Sequence, residues 1–289
     1  MSNKIAAVLC NFNDSRFLID VVHKIAMQNP DEFIVVDDRS TDRSLELLEC
    51  LQKEYDFKIV KNDGVHSPFG SFVKGCKEAT SKYIACFSAD DFPMPGYLVA
   101  MRKVINNFPI VDVFTCNTYV EREGETYERT LLPFTSYISP DYAVKIFQAG
   151  FAKDINQCGI VVDRNWVLEC WEFGGKNTSV NFDCMYSFLS IFQKGFLNIG
   201  RYLTTYRSYP TGFGAKGSNK KIKHATEAHK KFLRPNNEAY WRAVDSGIWS
   251  AGARWKALIA LWGIMKLPKW ARRKFYNWFY SYNQRIEKL

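Results

Sequence analysis

A chain of 289 residues, 47% hydrophobic and 16% aromatic, is long enough to bury a large core as one big domain or two small ones. Its eight cysteines (10, 50, 76, 86, 116, 158, 170 and 184) stand singly, which argues against a disulfide framework or a zinc site and for small core residues in a reducing compartment. The net charge of +9 belongs to the end of the chain: residues 220–289 carry 16 Lys+Arg against 4 Asp+Glu, leaving 23 against 26 for residues 1–219.

The first 117 residues alternate strand-like and helix-like segments. The opening residues run straight into the strand Ile5–Cys10, so no leader is expected. A helix follows over Phe17–Met27, then a strand over Phe33–Val36 that ends at Asp37-Asp38. Ser40 and Asp42 suit the cap of the next helix, whose Leu45, Leu47, Leu48 and Leu51 are expected to face inward. Strand Lys58–Val60, helix Phe69–Ala79, strand Tyr83–Phe87, helix Gly96–Asn106 and strand Val111–Thr115 complete the series. Such alternation with short loops implies an open, mostly parallel α/β sheet covered on both faces. Beyond it, residues 118–215 are less regular, with strands at 160–162 and 196–199 and a helix over Phe182–Gln193. Residues 220–289 read as helical, aromatic and basic.

Ligands on sheets of this kind bind beyond the carboxyl ends of the strands. Those ends carry Asn11-Phe12-Asn13, Asp37-Asp38 and Asp90-Asp91, so polar residues collect on one edge. Asn11–Asn13 sets an aromatic face beside amides, as a nucleobase requires. A carboxylate between a buried strand and a helix start can accept hydrogen bonds from a base imide or ribose hydroxyls, and one of Asp37 and Asp38 is expected merely to support its loop. Two adjacent aspartates after the apolar run Tyr83–Phe87 are costly unless a cation shares the site, and a divalent metal is the usual answer. On that tetrapeptide alone an acidic turn is an equal reading.

Ile5–Asn13, Val35–Asp42, Asn62–Val65 and Ser88–Leu98 together resemble the inverting family 2 glycosyltransferases of the GT-A fold, closely over about the first 120 residues and more loosely over 155–210. The resemblance implies a nucleotide-sugar donor, a saccharide acceptor and Mg2+ or Mn2+ as cofactor. By the same resemblance Asp91 binds the metal, Asp90 contacts ribose or donor sugar, Asp38 reads the base and Phe12 stacks on it. Asp183, in the first turn of a helix after Gly174-Gly175, corresponds to the catalytic base that deprotonates the acceptor; a carboxylate favoured by the helix dipole is the plainer reading. Arg207 corresponds to a diphosphate contact, with a structural ion pair as the alternative. Cys10 stands where the family has Pro. Phe72-Val73 stands where it has Arg-Asn, which leaves Lys74 as a replacement donor contact.

The tail adds a partner. Residues 253–262 and the spacing of Phe275, Trp278, Phe279, Tyr282, Ile286 and Leu289 suggest two amphipathic helices, and six of the eight tryptophans lie after residue 220. A Trp-rich basic face suits an anionic membrane surface, with a dimer or packing on the catalytic domain as the alternatives. No apolar run approaches the roughly 20 residues of a membrane span, and no nucleic-acid motif is present. The expectation is a cytoplasmic enzyme, peripheral at the inner face of the cytoplasmic membrane, with residues 1–117 holding the donor, 118–215 the acceptor, and 220–289 docking the protein on lipid or a second subunit. The acceptor would then be a lipid-linked saccharide, as in surface-polysaccharide assembly. An inactive GT-A scaffold and a nucleotidyltransferase are the competing readings.

Overall fold

A computed structural model describes residues 3–148, 158–174, 185–209, 238 and 241–242. The first strands form as the apolar runs dictate. β1 (Ile5–Asn11), β2 (Glu32–Asp37), β3 (Lys58–Lys61) and β4 (Tyr83–Ser88) pair in parallel in the order β3-β2-β1-β4. Along β1, Ala6 and Val8 enter one core while Ile5, Ala7 and Leu9 enter the other, which is why this strand is apolar at every position and not at alternate ones. One core lies under α1 (Ser15–Ala26), α2 (Ser44–Leu51) and α4 (Tyr97–Asn107). The other lies under α3 (Pro68–Glu78), α5 (Pro140–Gln148), α6 (Arg164–Gly174) and α7 (Met185–Lys194). In α2, Leu48 and Leu51 are buried, while Leu45 and Leu47 are half-buried.

Beyond β4 the sheet becomes mixed. β9 (Val161–Asp163) inserts antiparallel between β4 and β6 (Val113–Arg122). β10 (Phe196–Ser208) runs parallel to β6, and β5 (Phe92–Pro93) pairs antiparallel with the far end of β10. β7 (Glu125–Arg129) and β8 (Ser136–Ile138) extend the sheet from β6 and β10.

Two strands run well past the expected limits. β6 was expected to stop at Thr115, because polar residues follow, yet it continues through Asn117 and Thr118, both buried. Asn117 satisfies itself sideways: its amide donates to the Leu132 carbonyl at 2.8 Å, and its oxygen accepts from the Leu131 and Leu132 N–H groups at 2.9 and 3.2 Å. β10 likewise continues past Ile199, through register shifts around Tyr202. The helix expected over Phe182–Gln193 is described from Met185 onward.

The close seating of α3 on β1 depends on Gly75. A Cβ there would lie 2.4 Å from Val8 Cγ1 and 3.2 Å from Val36 Cγ2. Gly75→Val is expected to destabilise the fold by about 1–3 kcal/mol through overpacking, more than the helix-propensity gain of under about 1 kcal/mol. Urea unfolding of the variant beside the wild type measures this, and an unchanged midpoint would contradict the packing described.

Candidate functional site

The carboxyl ends of the parallel strands are tied to one another by backbone. Asp38 N–H donates to the Asn11 carbonyl (2.8 Å), Asn62 N–H to the Asp37 carbonyl (2.8 Å) and Ala89 N–H to the Cys10 carbonyl (2.9 Å). These bonds continue the ladder one step past the strands and bring the expected residues to a single edge.

The neighbouring aspartates divide their work. Asp37 is the loop support: its carboxylate accepts from the Asn11 amide (2.9 Å) and from Ser40 N–H (3.0 Å). Ser40 is therefore not a helix cap, since its hydroxyl accepts from the Asn11 amide and from Asn13 N–H at 3.1 and 3.0 Å. The start of α2 is served by Asp42, which accepts from Ser44 N–H at 3.0 Å. Asn13, itself at φ +54°, accepts from Thr41 N–H at 2.7 Å and so joins the loops after β1 and β2.

Asp38 is held ready for a ligand. One of its oxygens accepts from the Asn62 amide at 2.7 Å, and the other lies 3.0 Å from His66 Nδ1. His66 meets Phe12 edge to face, with ring centroids 4.8 Å apart, and Phe12 is 47% exposed. An exposed aromatic face beside a fixed carboxylate is what base stacking and imide recognition require. Sequence reasoning did not find His66: a histidine in an irregular loop carries no pattern, and only folding sets it opposite Asp38. Arg39 adopts a left-handed backbone, φ +65°, uncommon for a non-glycine residue. There its side chain clamps the β3–α3 loop through the carbonyls of Asn62 (3.1 Å) and Gly64 (2.5 Å).

The second acidic pair sits where β5 meets β10. Thr205 opposite Phe92 pins the two segments, and Arg207 N–H then donates to an Asp91 carboxylate oxygen at 3.1 Å. Tyr209 donates its hydroxyl to Asp90 at 3.0 Å. Asp91 is 4% exposed; burial pushes its carboxyl well above the usual range, and the charge of Asp90 adds to the rise. Asp90 is raised as well, first by burial, while Tyr209, Arg207 and Arg16 pull it back.

Whether this pair suits a divalent ion can be tested on its chemistry. Both carboxylates offer hard oxygen donors, and a like-charged pair with one member buried favours a cation that replaces the shared protons. Among the described residues no group of three or more His, Cys, Asp or Glu side chains encloses a point. The protein would thus supply one or two carboxylates and leave the remaining positions to phosphate oxygens and water, as Mg2+ sites in phosphoryl-transfer enzymes do. The residues fit such an ion.

Three expected donor contacts have protein partners in this structure. The Arg207 guanidinium is held by protein groups: it lies 2.6 Å from Asp20 Oδ2 and 3.2 Å from Glu121 Oε2, its Nη1 donates to the Asp90 carbonyl at 3.4 Å, and the Phe17 and Phe92 rings are 4.9 and 4.5 Å away. The ion-pair alternative is the one observed, and only its backbone N–H reaches Asp91. Lys74 pairs with Asp63 at 3.2 Å and Glu78 at 3.7 Å. Cys10 is half-buried; burial and then the Asp38 charge push its thiol up, so it stays neutral and serves the edge through its carbonyl. Phe72 and Val73, in the place of the family's Arg-Asn, are both core residues. Asp183 lies outside the described residues, as does residue 220 onward apart from 238, 241 and 242.

A mostly parallel N-terminal sheet with two acidic strand ends, completed by a mixed second half, is the GT-A architecture. Solved structures of Staphylococcus aureus TarS share it: the complex with UDP aligns at a TM-score of 0.64 with 13% identity, over 85% of this chain and 69% of that one. The mannosyltransferase PcManGT of Pyrobaculum calidifontis, in complex with GDP-Man and Mn2+, aligns at 0.59 with 14% identity, over 96% and 80%. Residues 6–169 match the model of glycosyl transferase family 2, and the chain belongs to that family. Among curated relatives, an uncharacterized glycosyltransferase of Nostoc sp. is 28% identical over 172 residues, which are 57% of this chain and 52% of the relative. A poly-beta-1,6-N-acetyl-D-glucosamine synthase of Staphylococcus epidermidis is 27% identical over 100 residues, 33% of this chain and 24% of the synthase. The match thus spans about half the length of the first relative and a quarter of the second.

Asn62 braces the Asp38 side of the edge: besides Asp38 it donates to the Val65 carbonyl at 2.9 Å, from a buried position. Asn62→Ala is expected to cost about 1–3 kcal/mol, since it strands buried acceptors, and to weaken nucleotide binding by releasing Asp38. Chemical denaturation and nucleotide titration of the same variant measure both effects; stability and affinity at wild-type levels would remove Asn62 from this role.

Proposed function

We propose that the protein is an inverting glycosyltransferase that moves a sugar from a nucleoside-diphosphate donor, a UDP-sugar in the first instance, to a saccharide acceptor. The observation that carries this reading is the Asp90–Asp91 pair, half-buried and buried in turn, set on the same sheet edge as Asp38 and the exposed Phe12 in a family 2 chain. Complexes of the structurally similar TarS with UDP and UDP-GlcNAc support the choice of nucleotide.

In this reading Phe12 stacks on the base, and Asp38 accepts from its imide N–H. Asp91 holds Mg2+ or Mn2+, with Asp90 facing the ribose or donor sugar. When bound, the ion offsets charge developing on the leaving diphosphate. The acceptor hydroxyl bonds to the anomeric carbon as the bond to diphosphate oxygen breaks, with oxocarbenium character between. Asp183 takes the hydroxyl proton, the role that the resemblance gives it. The acceptor is a saccharide carried on lipid, which the basic, Trp-rich tail reaches by resting on an anionic membrane surface at the cytoplasmic side. Among the described residues no helix is long and apolar enough to cross a membrane. The start of the tail touches the catalytic unit through Arg242, which donates to Asp141 at 2.8 Å and to the Phe192 carbonyl at 3.0 Å.

Asp91→Asn and Asp183→Asn are expected to fail differently. In calorimetry with UDP and Mn2+, Asp91→Asn should lose metal-dependent binding while Asp183→Asn keeps it. In a transfer assay both should be inactive. Unchanged metal-dependent affinity in Asp91→Asn removes it as the ion's ligand, and transfer near the wild-type rate in Asp183→Asn removes it as the base. Wild-type protein that binds no nucleotide with metal present would favour an inactive scaffold. A chain ending after Gly217 is expected to leave anionic liposomes that the whole chain sediments with; continued sedimentation would refute the membrane role of the tail.

A further inference from the structure

The donor site described above concentrates negative charge. A diphosphate brought beside Asp90 and Asp91 adds its own anionic oxygens, and a single divalent ion leaves an excess that a cationic side chain must balance. The basic residues around the edge are mostly committed. Arg207 is clasped by Asp20 and Glu121, Lys74 is paired with Asp63 and Glu78, and Arg39 is bonded to two loop carbonyls.

Arg16 differs from all three. Its side chain is 54% exposed, and its one ion pair among the described residues, with Asp14, is loose at 3.5 Å. Its guanidinium carbon lies 4.4 Å from the Phe17 ring centre and 4.5 Å from that of Tyr209, and these two rings meet each other at 5.9 Å. Tyr209 is the residue that donates to Asp90 at 3.0 Å, so Arg16 stands one side chain away from the acidic pair. The carboxyl of Asp14, the partner of Arg16, is raised by burial and then by the charge of Asp90, which places the whole group in one neighbourhood. Helix stability does not explain the position: Arg16 occupies the first turn of α1, which holds no acidic residue, and a cation there opposes the helix dipole. Cation–π contact with Phe17 and Tyr209 restrains the fork before a ligand arrives, which lowers the side-chain entropy lost on binding.

We infer that Arg16 is the diphosphate-binding cation of this site, reaching the phosphate oxygens of the donor across Tyr209 while Asp90 and Asp91 face the ribose and the metal ion. The inference rests on the donor-site reading under Proposed function.

The test separates phosphate recognition from base recognition. UDP affinity is measured by calorimetry in excess Mn2+, and uridine affinity by ligand-observed NMR, for wild type, Arg16→Ala and Arg16→Lys. Arg16→Ala is expected to bind UDP about tenfold more weakly, the loss of one charge-assisted contact, with uridine unchanged and Arg16→Lys in between. Equal UDP affinity in Arg16→Ala and wild type overturns the assignment and leaves the donor site standing. Parallel loss of UDP and uridine also overturns it, because a merely structural arginine would lower both. Wild-type protein that binds neither ligand overturns the donor-site reading together with this one.

Discussion

The acidic pair at the ligand edge depends on the return of β10 to the loop after β4. Asp91 is almost fully buried beside a second carboxylate, an arrangement that an apolar sheet end does not tolerate without compensation. Compensation comes from the chain more than 100 residues later. The Arg207 amide donates to Asp91, the Tyr209 hydroxyl to Asp90, and the short β5–β10 pairing fixes both. The remaining cost is what makes the pair receptive to a cation. Under the proposed function, stability and ligand affinity draw on the same two carboxylates in opposite directions, since a group that relaxed the ligand-free protein would weaken the proposed hold on a metal-bound diphosphate.

The base side is built on the reverse principle. Asp37 is satisfied entirely within the protein, and its satisfaction orients Asn11 and Ser40, which hold Asn13 and through it the loop of Thr41. Asp38 is bonded at each oxygen by one neighbour, which fixes its direction and leaves further lone pairs for a ligand. Two adjacent residues of the same type are thus bonded differently, Asp37 as a brace and Asp38, in the proposed function, as a recognition group. The difference is set by which side of the β2 end each one leaves.

The sequence reading reached the N-terminal half well because its strands are apolar without interruption and its helices are punctuated by Ser, Pro and Gly. The same strength put Asp38, Asp90 and Asp91 on one edge, since each follows a buried strand. It shortened β6 and β10, whose later residues are polar and satisfied by side-chain bonds such as those of Asn117. It placed Arg207 and Lys74 by their charge, whereas their partners Asp20, Glu121 and Asp63 come from other segments that only the fold brings near. His66 and Tyr209 escaped it for the same reason: each gains its meaning from an aspartate distant in sequence.

The antiparallel strand β9 has a consequence for how such a chain is made. It fills the place between β4 and β6, and it comes from residues 161–163, far downstream of both neighbours. Until it is synthesised and docked, β4 presents a row of open backbone groups bordered by apolar side chains, a template for unwanted pairing with another nascent chain. The sheet therefore closes late, after a long loop has been gathered in, and its assembly is bound to be slower than that of its locally connected first strands. A ribosome-bound fragment that already contains Asp38 and Asp91 would still lack both the strand that seals the sheet and the return of β10 that steadies the acidic pair.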